Sequence, residues 1–320
     1  MKIKKIIILK KKIILKKEKT NKNTNPLIIC ACHTDSKLKL KSLIYSLKYY
    51  KELSQNIILI NSLEFNGLIE KELENVKIKM NIIIRYTNNT HLLCHQKWYE
   101  ILTEYIDIYK SFILTNDSII VINSLHKFKN EYYNSNKELV GLLDSWQVKY
   151  HYPDFLRYYN KEGIIKWINF YLKNRDNCNG YNDLVHKIEI ESTNITKNRS
   201  AAYNMDTNYK KNIHFDDEMT SYYLNHLKYP IIKIKKIQSI IYTIDPKIYK
   251  LNDEEIIKRI LPKDFKSHVY KELHSDLSSL SDSSLERHFV FHGVKEGRKY
   301  KFDQQTSIPH YIKKFIKDII

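Results

Sequence analysis

Between Leu27 and Leu114 the sequence repeats one device: a short apolar run, a few polar residues, then a stretch with helical spacing. Leu27–Cys32 ends in His33-Thr34-Asp35-Ser36, Asn56–Ile60 ends in Asn61-Ser62, Asn81–Tyr86 follows, and Ser111–Leu114 leads into Thr115-Asn116-Asp117-Ser118. Runs this short and this apolar fit strands covered on both faces. Between them, Lys39–Leu53 places Leu40, Leu43, Ile44, Leu47 and Tyr50 on one helical face. Phe65–Val76 and Trp98–Ile108 also read as helices. Strands alternating with helices predict an α/β fold with a mainly parallel sheet. Ligands of such sheets gather at the strands' carboxyl ends. The polar loops at Thr34, Asn61 and Asn116 lie at such ends.

Beyond Leu125 the pattern turns more helical and more aromatic. Leu156–Tyr171 predicts a helix, Asn174–Asn182 a polar loop, and Asp216–Leu227 a second helix. Pro230–Ile237 reads as a strand, and short helices alone follow from Asp245. This divides the chain into a tail at 1–24, a main domain at 25–243 and a small helical module at 244–320.

The 320 residues are 42% hydrophobic and 12% aromatic, enough for one large domain or two small ones. The net charge of +18 raises the question of nucleic acid. Half of it, however, sits in residues 1–24, which hold ten lysines and one glutamate. The rest is dispersed among acids, whereas a nucleic-acid reader gathers basic charge on one face with aromatics to stack bases. A nucleic-acid partner is therefore not expected. In the tail, Ile6–Leu9 and Ile13–Leu15 are far shorter than the ~20 apolar residues of a membrane span. The tail is either a flexible basic extension or a polybasic segment that touches an anionic membrane surface. Cys30, Cys32, Cys94 and Cys178 lack metal-ligand spacing. Cys30 and Cys32, two apart in a strand, share one face and read as core residues of a protein in a reducing, cytoplasmic compartment, a host's cytoplasm for a viral chain.

Two stretches carry candidate chemistry. In Phe112 to Ser118, an apolar strand delivers Asn116-Asp117-Ser118 to a loop. A carboxylate there can hold a divalent cation, Mn²⁺ or Mg²⁺, against the diphosphate of a nucleotide-sugar donor, which makes Asp117 the metal candidate. GT-A transferases ordinarily place two carboxylates at this point, and this chain has one. Downstream, Asp144, His151 and Asp154 fall within eleven positions and could supply a general base for an acceptor hydroxyl.

The order of the pieces resembles the rhamnan synthesis protein F-like glycosyltransferases. Lys97-Trp98, Asn116-Asp117-Ser118, Gly141 to Ser145, His151 with Phe155, and Tyr229 to Lys233 match that family's short motifs in sequence, across about residues 25–240. The resemblance implies a GT-A-like nucleotide-diphosphosugar domain. Its activity would be transfer of a sugar, rhamnose or another deoxyhexose, from a nucleotide donor to a polysaccharide or glycan acceptor. In that reading Asp117 holds metal or diphosphate, and Thr34, Asp35, Asn116 and Ser118 meet the donor. Asp144 serves as base, His151 contacts donor phosphate or acceptor, and Trp98 and Asp154 bind the acceptor. The rival is an inactive relative that binds glycan or scaffolds other transferases.

His288 to Arg298 is similar to a helical repeat that closes in Glu-Gly-Arg, and Phe265, Tyr270, Asp276 and Leu277 match its earlier half. The resemblance implies a docking module in which Glu296 and Arg298 make structural contacts. His288 and His292 share a helical face, but no third metal ligand is placed beside them.

Overall fold

The computed structural model describes residues 25–64, 67–205, 220, 222–224, 227–237, 253–262, 264–293, 296 and 298–302. The basic tail, the expected boundary at 243/244 and most of the expected Asp216–Leu227 helix lie outside them. The chain packs as two compact units. One comprises Met1–Leu40, Leu47–Asp117 and Ser124–Lys210, and the other Lys41–Ser46, Ser118–Asn123 and Lys211–Ile320. No helix among the described residues is long and apolar enough to cross a membrane.

The first unit holds a seven-stranded sheet. Its strands are β1 (Leu27–Cys32), β2 (Ile57–Ser62), β3 (Ile83–Thr87), β4 (Ser111–Asn116), β6 (Leu139–Leu143), β7 (Leu156–Asn160) and β8 (Arg199–Tyr203). Their spatial order is β3-β2-β1-β4-β7-β6-β8. β3, β2, β1 and β4 pair in parallel, as do β6 and β8, while β7 is antiparallel to both neighbours. Six strands therefore run one way and only β7 opposes them. The mainly parallel sheet is as expected.

Every residue of β1 and β2 is buried, which is why these runs are apolar throughout rather than alternating. β3, at the edge, exposes Ile83 and Arg85 and buries Ile84. The crossovers are helices α1 (Lys37–Leu53), α2 (Gly67–Met80) and α3 (Leu93–Tyr105). In α1, Ser36 caps the first turn by accepting from Lys39 N, and Leu40, Leu43, Leu47 and Tyr50 are buried as their spacing predicts. Cys30 and Cys32 do share a face, their sulfurs 3.5 Å apart within the core.

The stretch Leu156–Tyr171 is not one helix. Its first five residues form β7, and the helix α5 (Lys161–Asn174) begins only where Asn160 caps it, Oδ1 accepting from Gly163 N at 2.9 Å. Arg157-Tyr158-Tyr159 suits a strand better than a helix, and the cap marks the change of period. β6 and β8 were likewise not expected. Helix α4 (His126–Asn134) precedes β6.

Gly163 marks the closest approach of α5 to the sheet. A Cβ there would stand 2.1 Å from the Glu138 carbonyl oxygen, which also accepts from Asn160 N at 3.2 Å. Helix propensity alone would favour alanine by about 1 kcal/mol. The clash reverses the sign, and Gly163→Ala is expected to destabilise by about 1–3 kcal/mol in urea melts. A variant that melts above wild type would show that the approach is looser than this.

In the second unit, β5 (Ile119–Val121) pairs antiparallel with β9 (Ile231–Lys233), a shorter strand than the expected Pro230–Ile237. Helices α6 (Asp253–Ile260), α7 (Ser267–Leu273) and α8 (Asp282–His288) follow, the last continuing as a wider-wound turn, Phe289–Gly293. Tyr270, Leu277, Leu285, Phe289 and Val290 form their core. Arg298 Nη1 donates to both carboxylate oxygens of Asp276 at 2.8 and 2.7 Å, and its Nε donates to Glu296 at 2.5 Å. His288 Nδ1 lies 3.1 Å from the Tyr270 hydroxyl. These are the structural contacts that the Glu-Gly-Arg ending implied.

Candidate active site

Because β7 alone is reversed, the carboxyl ends of β2, β1, β4 and β6 and the amino end of β7 share one sheet edge. Along that edge stand Asn61-Ser62, His33 to Asp35, Asn116-Asp117, Asp154-Phe155 and Asp144-Ser145, in that spatial order. At about 4.8 Å per strand, β1 and β6 lie about 14 Å apart across β4 and β7. The loops at Thr34 and Asn116 are neighbours, as the sequence predicts: Ala31 is in register with Asn116.

Asp117 is fixed from one side. Its backbone N–H donates to the Ala31 carbonyl at 3.1 Å. Its Oδ2 accepts from His33 N at 2.7 Å and from the Thr34 hydroxyl at 3.5 Å. Among the described residues Oδ1 has no hydrogen-bond partner, and the residue is partly exposed. Burial pushes the carboxyl up, against the pull of Lys39, the His33 N–H and Lys97. Asp35 is exposed and pairs with Lys39 at 3.1 Å. Thr34 is buried, its N–H donating to Asn61 Oδ1 at 3.1 Å. Asn61 Oδ1 also accepts from Ser62 N at 3.0 Å, which orients its Nδ2 as a buried donor without a partner. An unpaired buried donor costs about 1–3 kcal/mol, so an arriving acceptor would be well received.

Under this edge lies a lysine. Lys97, on α3 and 3% exposed, donates to the Cys32 carbonyl and to Ser62 Oγ, each at 2.5 Å. Desolvation lowers its pKa, offset in part by the field of Cys32 and Asp117.

Farther along the edge, Asp144 is buried and its Oδ1 accepts from Met205 N at 2.6 Å. Burial raises its pKa, the direction a general base requires. His151 is buried too, with Nδ1 2.8 Å from the Lys149 carbonyl, and burial lowers its pKa. Its backbone exchanges two hydrogen bonds with Ser145, at 2.8 and 3.0 Å, closing the loop between them. Ser118 belongs to the second unit, where its carbonyl accepts from Ile234 N at 2.9 Å.

Two expected acceptor residues must be reassigned. Trp98 is 1% exposed, packed edge-on to His95 and Trp167, with Nε1 donating to the Thr115 carbonyl at 2.9 Å. It has no face open to a sugar ring. Asp154 is buried between His95 Nε2, which contacts its Oδ2, and Arg157 Nη2, 2.8 Å from its Oδ1. Its carboxylate is spent on these two cationic partners, and only its carbonyl meets the edge, accepting from Asn116 Nδ2 at 3.3 Å. Asn61 was named only as a polar loop at a strand's carboxyl end, and His33 and Ser62 were not assigned to the site. Their position at strand ends was the available signal.

No family model matches this sequence, and no curated protein does. Among solved structures, the chain is similar to a protein described as a glucose-1-phosphate thymidylyltransferase from Bacillus anthracis in complex with sucrose. The two are 13% identical, with 57% of this chain and 87% of that one covered and a TM-score of 0.38. Mouse xyloside xylosyltransferase 1 in its apo form gives 7% identity, coverage of 66% and 97%, and a TM-score of 0.37. The glycosyltransferase GlyE of Streptococcus pneumoniae gives 11%, 88% and 66%, and 0.38.

Proposed function

We propose that the first unit is a glycosyltransferase domain that moves a sugar from a nucleotide donor to a glycan acceptor. The observation that supports it most is the state of Asp117. One oxygen is pinned by the β1 loop and the other has no hydrogen bond among the described residues, at a sheet edge lined by further polar donors. That oxygen could serve a divalent cation, which is often held by one or two carboxylates plus substrate phosphates. Among the described residues, no group of three or more His, Cys, Asp or Glu could hold a metal unaided. A cation here would therefore rely on the donor's own phosphates, and would neutralise charge as the sugar departs. Asn61 Nδ2 is placed for an acceptor atom of the nucleoside, and Asp144 is the base in this reading. Rhamnose or another deoxyhexose as the donor sugar rests on the motif order alone.

The single carboxylate favours one rival, an inactive relative that retains glycan binding. A thermal-shift panel of nucleotide sugars, with and without Mn²⁺, tests the proposal. A donor at about a hundred times its Kd should add about 2.7 kcal/mol of stability. Stabilisation without any turnover would favour the rival, and no stabilisation by any member of the panel would remove the donor site.

A further inference from the structure

Lys97 is the member of the Lys-Trp pair on α3 that hydrogen-bonds to Cys32 and Ser62 at the ends of β1 and β2. Lys97 Nζ donates to Ser62 Oγ at 2.5 Å, and Ser62 Oγ lies 2.9 Å from His33 Nδ1. The ammonium has only donors to offer, so it fixes Ser62 Oγ as an acceptor on that side. The hydroxyl proton then has two possible targets, His33 Nδ1 at 2.9 Å or the Cys32 carbonyl at 3.5 Å. The carbonyl already accepts from Lys97 at 2.5 Å. If the shorter contact takes the proton, His33 Nδ1 is the acceptor.

We propose that the buried Lys97–Ser62–His33 chain locks the His33 ring with its proton on Nε2, and that this Nε2–H is a contact for a diphosphate at the mouth of the site. The proposal rests on the donor reading above for its ligand but not for its hydrogen-bond chain. His33 is suited to the task. It is the first residue after β1, its N–H holds Asp117, and its side chain is about one-third exposed while Ser62 and Lys97 are buried. Nε2 stands 3.5 Å from Asp35 Oδ2, so the ring edge faces the same opening as the exposed carboxylate. The charged groups around the ring are Asp35, Asp117, Lys39, whose ammonium donates to the His33 carbonyl at 2.8 Å, and Lys97 through Ser62. Lys97 touches no ligand in this scheme; it is a positioning residue, and His33 is the contact.

The test is heteronuclear NMR on the full chain labelled in its histidine rings, with His33 assigned by its loss in His33→Asn. In the wild type near neutral pH, Nδ1 should resonate as an acceptor and Nε2 as the protonated nitrogen. Ser62→Ala, a change of one atom, should release the lock and give mixed tautomers in a protein that still melts cooperatively. Lys97→Met should do the same where it folds. Inorganic pyrophosphate should shift the Nε2–H signal, and His33→Asn should weaken its binding about ten- to a hundredfold, as loss of a hydrogen bond to a charged group does. A wild-type ring protonated on Nδ1, or an unchanged tautomer in Ser62→Ala, overturns the chain. A pyrophosphate that stabilises the protein yet leaves the His33 ring unmoved overturns the contact. If neither pyrophosphate nor any nucleotide sugar stabilises the protein, the donor reading and the contact fail together, and the tautomer result still decides the chain.

Discussion

Replacing Asp154 by alanine is expected to cost about 3–5 kcal/mol of stability, the usual loss when one partner of a buried ion pair is removed. Arg157 is 1% exposed and His95 2%, and Asp154 is the carboxylate between them. Arg157 cannot leave with its partner, because its guanidinium also donates to the Tyr152 carbonyl, to Ser192 Oγ at 2.5 Å and to the Glu189 carbonyl at 2.9 Å. An apolar replacement of both charges would orphan those acceptors, so this network is harder to substitute than a simple pair. The pH dependence has two sides. Asp154 resists burial because Arg157 and His95 hold its pKa below the usual carboxylate range. Its contribution is therefore present above about pH 3.9 and lost as pH falls through the folded value. His95 is raised despite burial, by Cys94 and Asp154. Its contribution is complete below about pH 6.5 and lost as pH rises through its own folded value. Urea melts of wild type and Asp154→Ala across this range should show the widest gap in mildly acidic solution. A gap below 1 kcal/mol there, flat with pH, would mean that the network is not stabilising.

Asp117→Asn should remove most sugar transfer, about a hundred- to a thousandfold or 2.7–4 kcal/mol, while leaving the melting curve unchanged. The amide keeps an oxygen that can accept from His33 N and Thr34, so the β1 loop should stay in place. What disappears is charge on the oxygen that has no partner. Transfer is the readout, or donor hydrolysis while the acceptor is unidentified. If Asp117 only braces the loop, asparagine serves as well, and full activity in a normally melting variant would take Asp117 out of the mechanism.

The legibility of this chain followed the reach of the forces involved. β1, β2 and β4 are buried on both faces, so each is an apolar run bounded by polar residues, and the parallel half of the sheet could be read locally. β7 could not, because Leu156 to Asn160 flows without a break into α5 and its strand state depends on pairing with β4 and β6. The site divided in the same way. Asp117 and Thr34 sit at strand ends, and their juxtaposition follows from neighbouring parallel strands. Asp154 meets His95 from 59 positions away, and Trp98 is covered by Trp167 of α5. Neither residue's neighbourhood is written near it, so residue type suggested exposure where packing imposes burial.

The reversed strand also bears on how the site comes into being. β3, β2, β1 and β4 come from residues 27–116, whereas β7, β6 and β8 come from residues 139–203, and β4 meets β7 as the seam between these two blocks. Asp117 and its β1 brace lie on one side of the seam, Asp144 and the His151 loop on the other. The seam joins strands about forty residues apart, whereas Leu27 of β1 pairs with Phe112 of β4 and Leu139 of β6 with Arg199 of β8 across longer stretches still, so the seam and these pairings alike wait on loop closure. A sheet without its seam would therefore hold either Asp117 or Asp144 in place along the edge, and not both. The candidate site is whole only once the two halves have zipped together.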